Sequence, residues 1–115
     1  MAIGVYIGVK DELYIETPVS PWSEAVPIDL SASVISDTEI DLSWINVDTN
    51  GDGVSIERSL TGDIFTKIGT VVLGVTTYSD TLLTANTKYY YRIKSYKGHE
   101  YSNHSDVISA TTDEA

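Results

Sequence analysis

Hydrophobic and polar residues alternate along most of the chain after residue 27. Ile40, Leu42 and Trp44 are separated by Asp41 and Ser43, a period of two that predicts a strand with one buried face. β-Branched and aromatic residues dominate this run and the others, as a half-buried pleated surface requires. The other runs are centred on Leu30 and Ala32, Val54 and Ile56, Phe65 to Val72, Tyr78 to Leu83, Tyr89 to Ile93, and Val107 with Ile108.

Turn-forming residues separate these runs, and no helical periodicity of useful length is present. The turns are predicted at residues 50–53, 61–63 and 97–98, where glycine stands beside asparagine, aspartate or lysine. Seven short strands at this spacing predict an all-β fold, a seven-stranded antiparallel β-sandwich. The expected core is Trp44 surrounded by Leu42, Ile56, Tyr91 and Ile93.

The same part of the chain, about residues 27–112, resembles a fibronectin type III domain. The segment PIDLSASVISDTEIDLSW is similar to the opening of that family, and YSNHSDVISATT is similar to its last strand. The most specific match is TTYSDTLLTANTKYYYRIKSY, in which Leu83, Thr87 and Tyr89 take the family's Leu, Thr and Tyr positions. The resemblance implies an immunoglobulin-like sandwich in which the Tyr89 hydroxyl bonds back to the chain a few residues upstream.

Three prolines within ten residues divide the chain. Pro18, Pro21 and Pro27 remove backbone donors and restrict the residues before them, so this stretch is predicted to be a linker. The expected organisation is an N-terminal β-hairpin arm at 1–17, a Pro-rich linker at 18–26, the fibronectin type III-like domain at 27–112 and an acidic tail at 113–115.

The predicted arm carries an apolar face that a small hairpin leaves uncovered. Isolated two-stranded hairpins are marginal in water, so this face is expected either to pack on the chain's own sandwich or to dock on another subunit. Trp22, between two prolines, must also pack against something. The candidate partner-binding residues are Ile3, Val5, Ile7, Val9, Leu13, Ile15 and Trp22.

Charge and cysteine content exclude several classes of function. The 115 residues include 17 Asp and Glu against 7 Lys and Arg, a formal net charge of −10. Such a chain is not expected to bind nucleic acid or an anionic membrane surface. It has no cysteine, which excludes disulfides and thiolate metal sites, and no apolar run long enough to span a membrane as a helix.

One predicted loop resembles the beginning of a calcium-binding loop. Asp48, Asn50 and Asp52 place oxygen ligands at alternate positions, and glycines follow for the sharp turn. The twelfth position of such a loop, where a bidentate acid is needed, falls on Ser59. Glu57 lies two residues before that position. The alternative is a tight turn between strands, and the expectation is therefore no metal and no cofactor.

Two further groups of side chains are candidates for binding. His99 and His104, with Glu100 between them, could hold zinc, but their spacing matches neither a helix nor paired strands. The exposed aromatic candidates Tyr90, Tyr96 and Tyr101 can stack on sugars or anchor a protein, or simply cover the outer face of a sheet. No nucleophile motif or phosphate loop is present, so the chain is predicted not to be an enzyme.

Two functions from different settings are compatible with these features. The first is a bacteriophage virion accessory protein, a capsid decoration or tail component, assembled in the host cytoplasm without a secretion signal. Its arm would bind virion subunits or a second copy of the chain, and its acidic sandwich would project outward, where a host-surface glycan is a candidate ligand. The second is an extracellular spacer or carbohydrate-binding accessory domain within a longer secreted bacterial glycoside hydrolase or adhesin.

Overall fold

The structure is a computed structural model that describes residues 25–47 and 50–115. Within these residues it consists of β-strands, turns and loops, and contains no helix. The strands are β1 (Ile28–Val34), β2 (Ile40–Ile45), β3 (Gly53–Ser59), β4 (Thr66–Val72), β5 (Thr77–Asp80), β6 (Lys88–Lys97), β7 (Glu100–Tyr101) and β8 (Ile108–Thr111). The all-β prediction is confirmed.

The strands form two antiparallel sheets that face each other. One has the order β1-β2-β5, and we call it the small sheet. The other, the large sheet, has the order β4-β3-β6-β7, with β8 also paired to β6. Because side chains alternate between the two faces of a strand, each sheet contributes every second residue to the space between them.

The core lies between the sheets and is built from the residues that the alternation predicted. Trp44 is 4% exposed, and its indole Nε1 donates to the Asn46 side-chain oxygen at 3.0 Å, so the one polar atom of the ring is satisfied. The buried apolar cluster comprises Ile40, Leu42, Trp44, Val54, Ile56, Leu83, Tyr89, Tyr91 and Ile93. The expected position of Trp44 in this core is confirmed.

The corner before β6 also forms as the resemblance implied. The Tyr89 hydroxyl accepts a hydrogen bond from the Thr84 amide at 2.9 Å, which ties the chain entering β6 to the segment five residues upstream. Thr112 closes the same corner, since its hydroxyl donates to the Thr84 carbonyl at 2.7 Å and accepts from the Thr87 amide at 3.0 Å.

The number of strands differs from the prediction because the last one is broken. Seven strands were expected, whereas residues 102–107 separate β7 from β8 along the same edge of β6. In that gap the hydroxyls of Ser102 and Ser105 accept from the amides of Ser95 and Ile93, each at 2.9 Å. Serine side chains thus replace the backbone carbonyls of a continuous strand, and eight strands result.

A buried ion pair joins the sheets near one end of the core. Asp80 at the end of β5 is 4% exposed and accepts from Arg58 Nη1 on β3 at 2.8 and 3.0 Å. The Tyr91 hydroxyl donates to the same carboxylate at 2.7 Å. Burial and this acidic neighbour raise the pKa of Tyr91 well above its ordinary value, so the phenol remains a donor throughout the physiological pH range.

Candidate functional site

The outer face of the large sheet carries a cluster of charged side chains around Glu57. Glu57 on β3 points outward, and its register partner on β6 is Arg92, whose Nε donates to Glu57 Oε1 at 2.6 Å. Lys94 Nζ lies 3.4 Å from Glu57 Oε2, and His104 Nε2 lies 3.3 Å from Oε1. The Glu57 carboxylate is therefore in contact with two cations and an imidazole.

The surroundings of this cluster disfavour protonation of both Glu57 and His104. Burial alone would raise the pKa of Glu57, but the Arg92 hydrogen bond and the nearby positive charges hold it below its usual value. Burial, followed by the positive charge of Arg92, lowers the pKa of His104. At neutral pH the cluster is thus one carboxylate against two permanent cations, with His104 neutral.

Aromatic rings line the cluster on both sides. The Arg92 guanidinium lies 4.2 Å from the centre of the Phe65 ring, and Lys94 Nζ lies 4.1 Å from the centre of the Tyr101 ring. Further along β6, Lys88 Nζ lies 5.2 Å from the centre of the Tyr90 ring. We refer to this surface as the basic face; its residues are Lys67, Lys88, Arg92, Lys94, Glu57, His104, Phe65, Tyr90, Tyr96 and Tyr101.

The predicted exposed tyrosines all lie on the basic face. Tyr90 and Tyr96 point outward from β6 and are half-buried, whereas Tyr101 on β7 is 43% exposed. Tyr90 and Tyr101 contact the cations Lys88 and Lys94, which was not predicted from the sequence. Sequence reasoning missed the pairing of Glu57 with Arg92 and Lys94, because it depends on the register between β3 and β6.

The histidine pair does not assemble as a zinc site. His104 approaches Glu57 rather than Glu100, and His99 is exposed in the turn between β6 and β7. Within residues 25–47 and 50–115, no group of three His, Cys, Asp or Glu side chains is placed to hold a metal ion.

The candidate calcium loop is only partly within the described residues. Asp48 lies outside them, and Asn50 is exposed. The Asp52 carboxylate accepts from the Gly98 amide at 2.8 Å, and the Asp52 amide donates to the Tyr96 carbonyl at 2.9 Å. Asp52 therefore joins two loops of the sandwich.

The candidate partner-binding residues lie outside the described residues: Ile3, Val5, Ile7, Val9, Leu13, Ile15 and Trp22.

A groove separates the edges of the two sheets. It has a volume of about 540 Å³ and lies between the start of β1 and the segment that interrupts the last strand. Pro27, Leu30 and Ile108 contribute apolar surface, while Asp29 and Asp106 contribute carboxylates. A smaller pocket of about 360 Å³ lies at the β3–β4 loop beside Leu60 and Ile64. Ser105 and His104 both line the groove, but the Ser105 hydroxyl accepts from the Ile93 amide and donates to the Asp106 carbonyl, and His104 Nε2 lies against Glu57.

Comparison with solved structures places the two sheets in a known architecture. A fibronectin type III domain of human contactin 1 superposes with a TM-score of 0.73 at 20% identity, covering 92% of this chain and 91% of that domain. The domain of human fibronectin type III domain containing protein 3 gives 0.71 at 20% identity, covering 87% and 94%. The chain has the fibronectin type III fold.

Longer proteins contain the same fold as one part. This chain spans 31% of a three-domain fragment of chicken contactin 1, at 24% identity and a TM-score of 0.70. It spans 14% of a β-1,2-glucanase from Parabacteroides distasonis, at 25% identity and a TM-score of 0.68, with 85% of this chain covered. Neither family models nor curated proteins match the sequence. The described residues include no helix suited to crossing a membrane.

Proposed function

We propose that the chain is a non-catalytic module that attaches to a larger assembly through its N-terminal segment. The observation that carries this proposal is that β2, β3 and β6 supply most of the buried apolar cluster, so the sandwich closes around its own strands. Residues 1–17 add a further set of alternating apolar side chains. Edge pairing to a partner satisfies the backbone groups of such a segment and buries those side chains.

The assembly that we propose is a bacteriophage virion, in which the chain serves as a capsid decoration or tail component. The support is that the chain combines a small sandwich that has its own core, an apolar N-terminal segment and a strongly acidic composition that favours solubility. In this role the sandwich projects from the particle and is available to a glycan on the host surface.

The test of this role is the location of the chain in purified particles. An antibody against residues 27–115 should label virions purified from the source organism, and mass spectrometry should find the chain in the particle fraction. Replacing Val5 and Ile7 with aspartate in the full chain should abolish incorporation. The matched control, Lys10→Gln, changes the same segment without altering its apolar positions and should retain incorporation. Recovery of the chain only as part of a secreted polypeptide would overturn the proposal.

The second candidate is an accessory domain beside a secreted glycoside hydrolase or an adhesin. The observation that favours it is the likeness to one part of the β-1,2-glucanase. In that case the chain is a spacer or a carbohydrate-binding unit, and the gene should continue into catalytic or adhesive sequence.

A further inference from the structure

The charges of the described residues are unevenly distributed between the two sheets. The outward-facing strand residues of the large sheet include four cations, Lys67, Lys88, Arg92 and Lys94, but a single carboxylate, Glu57. The described part of the chain contains six of the seven Lys and Arg residues, and four of those six lie on this face. On the outer side of the small sheet, β2 presents Asp41, and none of that sheet's strands contains a Lys or Arg. The described part of a protein with a net charge of −10 thus includes a positive face.

The positive charge on this face is not neutralised internally. Glu57 can balance only one of the two cations that contact it, Arg92 and Lys94. Lys67 lies opposite Glu57 in the register and is exposed, as is Lys88 at the beginning of β6. The excess of about three positive charges is therefore available to a ligand.

The negative charges elsewhere act weakly at this surface. Stacked sheets lie about 10 Å apart, whereas the Debye length at physiological salt is about 8 Å. Carboxylates on the outer side of the small sheet, such as Asp41, are therefore screened from a ligand that lies on the basic face. The local cations, rather than the net charge, determine which ligands are attracted.

The remaining side chains of the basic face are aromatic rings and hydroxyls. Tyr90, Tyr96 and Tyr101 offer both, and Phe65 adds a ring beside Arg92. Ser109 and Thr111 of β8 lie on the same side as Tyr90 and Lys88. A protein interface usually has an apolar centre, which this face lacks, whereas rings and hydroxyls suit the faces and edges of sugars.

We propose that the basic face binds an acidic polysaccharide, with the carboxylates of its sugar residues paired to Lys67, Lys88 and the Arg92–Lys94 pair. The proposal deepens the proposed function, since it names the glycan class and the face that receives it. Binding at the basic face does not involve residues 1–17. An experiment that disproves polysaccharide binding therefore leaves attachment through the N-terminal segment untouched, and the reverse is also true.

The test compares one sugar polymer in charged and neutral form. Polygalacturonate oligomers are titrated into the full chain, followed by NMR, and the same oligomers fully methyl-esterified serve as the uncharged control. The charged form should shift the imidazole resonances of His104 and raise its pKa, since a bound carboxylate offsets Arg92 and Lys94. The exposed His99 should not respond. Equal shifts with the ester, or none with either form, would overturn the proposal.

Charge-removing variants locate the site. Lys67→Gln combined with Lys88→Gln should weaken binding about three- to tenfold, as expected for two exposed ion pairs. Lys97→Gln, at the last residue of β6 and on the alternate side of the strand from Arg92 and Lys94, should leave affinity unchanged and serves as the matched control. If the double variant does not fold, the ester comparison on the unmodified chain decides the question.

Other anions distinguish charge from sugar recognition. Poly-glutamate and a thymidine 20-mer carry comparable charge but no uronic acid rings, and both should bind at least tenfold more weakly than polygalacturonate. Equal affinity for poly-glutamate would assign the face to acidic polypeptides instead, and equal affinity for the 20-mer would assign it to single-stranded nucleic acid. Either result would overturn the proposal.

Discussion

At the scale of single residues, Trp44 is the tryptophan of the buried core. It is nearly fully buried between the sheets, and its ring nitrogen is satisfied by Asn46. Trp44→Ala should reduce the free energy of unfolding by about 3–5 kcal/mol, because the surrounding strands cannot collapse into the space left. Denaturant unfolding measures this directly. A loss below 1 kcal/mol would mean that the ring is not a core element.

Leu82, in contrast to the buried Trp44, is exposed and has a strained backbone conformation. Its φ is 61°, a left-handed conformation that is costly for a residue with a Cβ atom, and its side chain is 94% exposed. Leu82→Gly should therefore raise the free energy of unfolding, by up to about 1 kcal/mol. Leu82→Ala is the matched control, because it removes the exposed side chain but keeps the strain, and it should change stability little. A destabilised glycine variant would show that the Leu82 side chain makes contacts that matter.

At the scale of elements, the interrupted last strand depends on two serines. Ser102 is 6% exposed and accepts from the amide of Ser95, which is itself buried. Ser102→Ala leaves that amide without its acceptor and should cost about 1–3 kcal/mol of unfolding free energy. Ser109→Ala, on the paired and exposed part of β8, should cost far less. Equal effects of the two variants would mean that the break is not held by the serine hydroxyl.

Some structural elements could be predicted from the sequence and others could not. Trp44 and Tyr89 were predictable, because an alternation of period two and a local motif each depend on residues close together in the chain. The break between β7 and β8 was not, since it requires Ser102 and Ser105 to take the place of carbonyls on the neighbouring strand. The basic face was missed for the same reason. Glu57 and Arg92 are 35 residues apart, and only the register between β3 and β6 brings them together.

At the scale of the whole molecule, stability should decrease as the solution is acidified. The pKa of Glu57 is lowered in the folded state, so its stabilising effect is present above the unfolded value of 4.5 and is lost as pH falls through the folded value. The pKa of His104 is also lowered, so below about 6.5 the unfolded chain binds more protons than the folded chain. Both groups therefore act in the same direction.

The melting temperature measured between pH 7.5 and pH 3.5 checks this pH dependence. It should begin to decrease near pH 6.5 and decrease further below pH 4.5. His104→Gln should remove the first part of the decrease, whereas His99→Gln, which alters the exposed histidine outside the cluster, should leave the profile as it is. A melting temperature that rises on acidification through this range would contradict the arrangement of charges around Glu57.

We propose that residues 25–115 form an autonomous module and that residues 1–17 serve attachment. The most direct measurement is the thermal unfolding of the full chain beside a protein that begins at Ala25, which keeps the Ala25 carbonyl that accepts from Ser95 Oγ at 2.7 Å. Both proteins should unfold cooperatively, and their melting temperatures should agree within about 3 °C. A shortened protein that is insoluble, or that melts more than about 10 °C lower than a monomeric full chain, would contradict it, because the N-terminal segment would then belong to the sandwich's own core.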